Sequence, residues 1–76
     1  MNVVYSSQHY HVVEFPGQGY EVIRKRAAVG VYLYGDAAMR FGEHLAEVIA
    51  DDASQEAVDE FLEDLDELMM QRAIYH

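Results

Sequence analysis

The stretch from Ser54 to Arg72, SQEAVDEFLEDLDELMMQR, limits the possible folds of this chain more than any other segment. At a helical spacing of about 100° per residue, Val58, Phe61, Leu62, Leu65, Leu68 and Met69 fall within an arc of about 120°. The acids Glu56, Asp59, Glu60, Glu63, Asp64, Asp66 and Glu67 fill the opposite side. That separation predicts an amphipathic helix with its leucines on a core and its carboxylates in water. Ser54 suits the N-cap, because its hydroxyl can accept from a free backbone N–H. Arg72 falls at the apolar edge, where its stem can pack while its charge meets the negative end of the helix dipole. Such a helix needs a surface to lie on, and the rest of the chain has to supply it.

Upstream, the apolar residues follow a strand period. Asn2–Tyr5 reads as a first strand, Ser6-Ser7-Gln8 as a turn, and His9–Phe15 as a second strand rich in valine and aromatics. Phe15-Pro16-Gly17-Gln18 has the composition of a type II turn, since proline presets φ at the second position and glycine supplies positive φ at the third. Tyr20–Lys25 makes a third strand, and Arg26-Ala27 leads into a fourth, Ala28–Tyr34. Gly35-Asp36 ends the strands, with Asp36 as the expected N-cap of a helix over Ala37–Ala50. Ala38, Phe41, Leu45, Val48 and Ile49 form its apolar stripe, flanked by the small residues Gly42, Ala46 and Ala50, beside which another backbone could pack. Asp51-Asp52-Ala53 joins the two helices, and so short a link makes them antiparallel neighbours. The expected architecture is an α+β domain spanning 1–76: an antiparallel meander of about four strands (1–34), then an acidic half (35–76) of two antiparallel helices packed on one sheet face, ββββαα.

A chain of 76 residues buries only about 60% of its unfolded surface, so a second source of burial is expected. It has no cysteine, which removes disulfides and thiolate zinc sites and leaves oligomerisation as the supplement. Residues 1–34 hold three bases and two acids, net +1, whereas residues 35–76 hold two bases and twelve acids, net −10, giving −9 in all. An acidic half repels phosphate backbones and anionic lipid and favours basic partners. The N-terminus lacks a signal-peptide pattern and no long apolar run exists, so the expected setting is cytoplasmic and away from membranes.

Catalytic signatures are missing from the sequence. Ser6 and Ser7 lie near His9, but no glycine-flanked nucleophile elbow accompanies them. Gly17-Gln18-Gly19 is not followed by a helix that could receive a phosphate. The carboxylates of the last helix fall on its solvent side, where little shifts their pKa values. No enzyme activity and no cofactor are expected. His9 and His11 occupy one face of a strand at a spacing that can supply two metal ligands, with His44 or His76 as a third, although surface packing explains such pairs more often. Arg24-Lys25-Arg26 is too small a basic cluster on a −9 chain to hold nucleic acid.

The tyrosines carry the functional expectation. Alternation puts Val29, Val31 and Leu33 on one side of the fourth strand and Gly30, Tyr32 and Tyr34 on the other, with Tyr10, Val12 and Ile23 as expected neighbours of those tyrosines. A contiguous apolar face with aromatic anchors marks an interface. The reading is a non-enzymatic interaction module that self-associates, as a dimer, through that face. Two alternatives accompany it. One is an antitoxin-like or regulatory protein whose Glu60, Glu63, Asp64 and Glu67 neutralise a basic partner; the other is a metal-binding protein using His9 and His11.

At YSSQHYHVVEFP, GYEV and VDEFLEDLDELMMQ, with a histidine at the last position, the chain resembles a family of short beta-proteobacterial proteins catalogued as a domain of unknown function. The likeness runs from Tyr5 to His76 and rests on packing residues, turn residues and acids. It implies a bacterial cytoplasmic setting and assigns no site. The Arg24-Lys25-Arg26 cluster is more basic than the family pattern.

Overall fold

In the computed structural model the described residues are 1–27 and 29–74, with side chains described up to Leu65. Four strands, β1 (Asn2–Ser6), β2 (Tyr10–Phe15), β3 (Gly19–Arg24) and β4 (Val29–Tyr34), form one antiparallel sheet in the order β1-β2-β3-β4. Two helices follow, α1 (Gly35–Asp51) and α2 (Gln55–Ile74). The α+β meander and its helical pair are as the sequence implies. The Phe15–Gln18 turn also forms: Gln18 N–H donates to Phe15 O at 2.9 Å, and Gly17 takes the positive φ, +76°, that the third position requires.

Both helices lie on one face of the sheet. Val12, Val22 and Leu33 from the strands meet Ala38, Phe41 and Leu45 of α1 and Val58 and Leu62 of α2. Leu62 and Val12 are fully buried, each contributing roughly 1.5–3 kcal/mol of apolar transfer energy. An aromatic run links the sheet to both helices. Tyr20 of β3 meets Phe41 edge-on at 5.1 Å between centroids, and Phe41 stacks on Phe61 of α2 at 6.0 Å. Phe61 and Leu65 pack partly buried against this core, as the helical wheel requires, while Leu68, Met69 and Arg72 lie beyond the described side chains.

Ser54 does cap α2: its Oγ accepts from Ala57 N–H at 3.2 Å. Asp36 does not cap α1. That helix starts directly from the end of β4, with Tyr34 in the cap position and no side-chain cap bond, so Asp36 falls inside the first turn, where its charge still faces the helix N-terminus. Ile49, expected on the apolar stripe, sits in the last turn and is exposed.

The register corrects one expectation outright. Val12 pairs with Val22 and Val22 with Val31, while Tyr10 pairs with Arg24 and Arg24 with Val29. Directly opposed residues share a face, so Tyr10 and Val12 belong to the helix-covered side and not beside Tyr32 and Tyr34. Both are core residues, 5% and 0% exposed. The reason is loop arithmetic. Three residues separate the paired Phe15 and Gly19, which preserves odd–even parity between β2 and β3, whereas four separate Arg24 and Val29, which reverses it between β3 and β4.

Candidate interaction surface

The sheet face turned away from the helices carries Val13 and Phe15 of β2, Glu21 and Ile23 of β3, and Tyr32 and Tyr34 of β4. Ile23, Tyr32 and Tyr34 are therefore together as expected. Val13, Phe15 and Glu21 take the places given to Tyr10 and Val12; counting the residues in each connection would have found them. Phe15 meets Tyr32 edge-on at 6.0 Å, and Tyr32 stacks on Tyr34 at 6.0 Å with ring planes 22° apart. Glycine at position 19 leaves the space between Phe15 and Tyr34 without a side chain. Val13 is buried here although both helices lie on the other face, which means that neighbouring side chains shield it. Tyr32 and Tyr34 remain 45% and 70% exposed. Rigid rings with a polar tip supply contact area at low entropic cost, and no nucleophile–base pair lies among them.

The opposite face holds a polar pin. Tyr5 Oη and Ser7 Oγ each donate to Asp59 Oδ1 at 2.8 Å, tying the end of β1 to the start of α2. The buried Ser7 hydroxyl also accepts from the N–H groups of His9 at 3.2 Å and Tyr10 at 3.1 Å. Asp59 is thus not a solvent carboxylate of the acidic side; it sits at the edge of the stripe, one position after Val58, and reaches back to the sheet. Burial, followed by the hydrogen bond to Asp59, raises the Tyr5 pKa above the ordinary tyrosine value. Burial, followed by the charge of Glu14, does the same for Tyr20. A phenol whose pKa is raised on folding contributes stability that is complete below about pH 10 and lost as pH rises through the folded value. Thermal melts across pH 9 to 11.5 are therefore expected to show a steeper fall in melting temperature for the native chain than for Tyr5→Phe. Parallel curves would remove Tyr5 from the linkage.

Beside this pin, His9, Tyr10, Arg24, Arg26, Asp59 and Glu63 line a pocket of about 380 Å³. Lys25 donates through Nζ to Ser7 O at 2.6 Å and Ser6 Oγ at 3.1 Å. Lys25 thus closes the β1–β2 connection, and Arg24 and Arg26 line the same pocket as the acids Asp59 and Glu63 of α2. His9 lies in the bend before β2 within this pocket, whereas His11 is inside the strand with Nδ1 3.3 Å from Ser6 Oγ. They are not two ligands on one strand, and no cluster of three metal-ligating side chains occurs among the described residues. His76 lies outside those residues. Glu60, Glu63 and Asp64 are exposed on α2, while the Glu67 side chain lies outside the described set.

A second, open groove of about 620 Å³ runs between the β2–β3 turn and α1, with Glu14, Tyr20, Met39, Gly42, Glu43 and Ala46 among its lining. The small flank of α1 receives a side chain rather than a backbone. A Cβ at Gly42 would stand 2.7 Å from Tyr20 Oη, so glycine makes room for that ring. Among the described residues no helix is long and apolar enough to cross a membrane.

The sequence matches, over residues 1–76, the model of a family described as "Protein of unknown function (DUF3567)". It is also similar to Protein BTH_I0359 of Burkholderia thailandensis, 39% identical over 85 residues with all of both chains covered. No solved structure matches.

Proposed function

The chain belongs to the DUF3567 family, and on that premise we propose that it is a small acidic, non-enzymatic interaction module that binds a second copy of itself through the open sheet face. One observation carries the reading: Tyr32 and Tyr34 stack on each other, both exposed, on the face that neither helix covers. A contiguous aromatic patch of that kind is the composition of an interface core. Association also answers the small burial available to 76 residues.

Sedimentation equilibrium is expected to give twice the 8.7 kDa chain mass, and Tyr34→Glu, at a position 70% exposed, is expected to weaken association at least about 30-fold while leaving the melt of dilute protein unchanged. A mass of one chain at every concentration would overturn the reading.

A second reading has its own support in the exposed carboxylates Glu60, Glu63 and Asp64 of α2. In that reading the acidic helix neutralises a basic partner, as an antitoxin-like or regulatory protein does, in a cytoplasmic setting. Capture of a basic protein at low salt and its release at high salt supports this reading, whereas salt-insensitive capture counts against it.

A further inference from the structure

We infer that the second copy docks along the free edge of β4, in antiparallel register with Tyr32 opposite its own counterpart, so that two four-stranded sheets join into one of eight strands. This rests on the proposed self-association but moves the contact from the open face to its β4 border, where the two open faces join into one and Tyr32 and Tyr34 of both copies become neighbours on it.

The sheet has two free edges, and they are built differently. At β1 the pairing with β2 slips between Val3 and Tyr5, a bulge that twists the outer edge away from a straight ladder, and Tyr5 is held to α2 through Asp59. At β4 all six residues pair with β3 without interruption. The segment VGVYLY contains no charge and no proline. Natural sheets defend free edges with lysine, proline, bulges or a covering element, because an unguarded ladder of N–H and C=O groups recruits another strand. In β4 the defences of sequence and shape are missing, and Val29, on the other side of the strand from Tyr32 and Tyr34, adds a further exposed apolar side chain, 52% in solvent. Pairing there takes no charged side chain of β4 out of water.

The identity of the partner strand follows from register. Two copies of one strand pair about a twofold axis only where opposed residues share a face, which leaves two central registers. With Val31 opposite Val31, Tyr34 overhangs the partner, whose β4 begins at Val29. With Tyr32 opposite Tyr32, Tyr34 of each copy lies across from Gly30 of the other. A tyrosine ring folded over a cross-strand glycine shields its backbone, and over the exposed Gly30 it would share the space with the side chains of Glu21 and Ile23. On the helix side the same register sets Val31 against Leu33. Tyrosine and glycine at a spacing of four, with a tyrosine between them at the centre, make this edge complementary to itself.

The absence of cysteine gives a clean test. Directly opposed residues of an antiparallel pair have Cα atoms about 4.5–5.5 Å apart, within disulfide range, whereas residues displaced by four positions are roughly 13 Å apart. Mild oxidation of Tyr32→Cys is expected to yield a covalent dimer at least about tenfold more abundant than oxidation of Tyr34→Cys yields. Hydrogen exchange on the unsubstituted chain gives a readout independent of any variant: amides of residues 29–34 should gain protection as concentration rises, and those of β1 should not. A two-chain mass with no linkage at position 32, with equal linkage at 34, or without added β4 protection overturns the edge register and leaves the proposed function standing. A one-chain mass overturns both. Masses beyond two chains overturn the closed twofold pairing.

Discussion

Leu62→Ala is expected to lower stability by about 2–5 kcal/mol and the melting temperature by at least about 8 °C. Leu62 is fully buried where α2 meets the sheet and α1, so truncation loses its transfer energy and leaves a cavity that a helix pinned at Asp59 cannot easily close. Small domains have only about 5–15 kcal/mol in total, and this one substitution can consume much of it. Leu65→Ala, at a partly buried position on the same stripe, should cost less, and Glu63→Ala should stay within about 0.5 kcal/mol. Thermal melts of the three variants rank the positions directly. If Glu63→Ala proved the most damaging, α2 would be rotated from the orientation described, and its exposed carboxylates would lose their role as a partner surface.

Gly19→Ala should be comparably severe, about 3 kcal/mol or more, the upper range of overpacking costs. An added Cβ at this position would run into the backbone carbonyl of Leu33, and the atoms behind it are those of β4, so a side-chain rotation offers no relief. Gly19 is directly opposite Tyr34, so any adjustment moves the end of β4 and with it the most exposed tyrosine of the open face. Gly17→Ala is the informative comparison. It keeps an empty surrounding but strains a positive φ, for an expected cost of about 1 kcal/mol. Melts by circular dichroism distinguish the two, and a Gly19→Ala protein as stable as the native chain would show that β3 and β4 do not pair in this register.

Much of this architecture is legible in the residues. The Phe15–Gln18 turn, the Ser54 cap and the wheel positions of Val58, Leu62 and Leu65 depend on local chemistry, and each forms as that chemistry dictates. Period-two alternation also sorts β4 correctly within itself, placing Leu33 inside and Tyr32 outside. It does not say which side of one strand matches which side of the next. That relation depends on whether a connection holds an odd or even number of residues. Across residues 25–28 the expected sides match, since Ile23 does lie with Tyr32 and Tyr34; the misplacement of Tyr10 and Val12 arises across residues 16–18, where three residues keep β2 and β3 in the same parity. Asp59 was obscured for a different reason: an acid at the margin of an apolar stripe looks like its solvated neighbours until the hydroxyls of Tyr5 and Ser7, more than fifty positions away, are brought to it.

The polar pin has a consequence for synthesis. The strands of the meander adjoin in sequence and can pair as they leave the ribosome, but the carboxylate that fastens β1, and the valine and leucine that roof Val12, all come from the final third of the chain. Until that segment emerges, the nascent sheet carries its apolar side uncovered and one border unsecured, the condition under which newly made chains adhere to one another. Closure of the sheet therefore waits on the segment that carries Val58, Asp59 and Leu62.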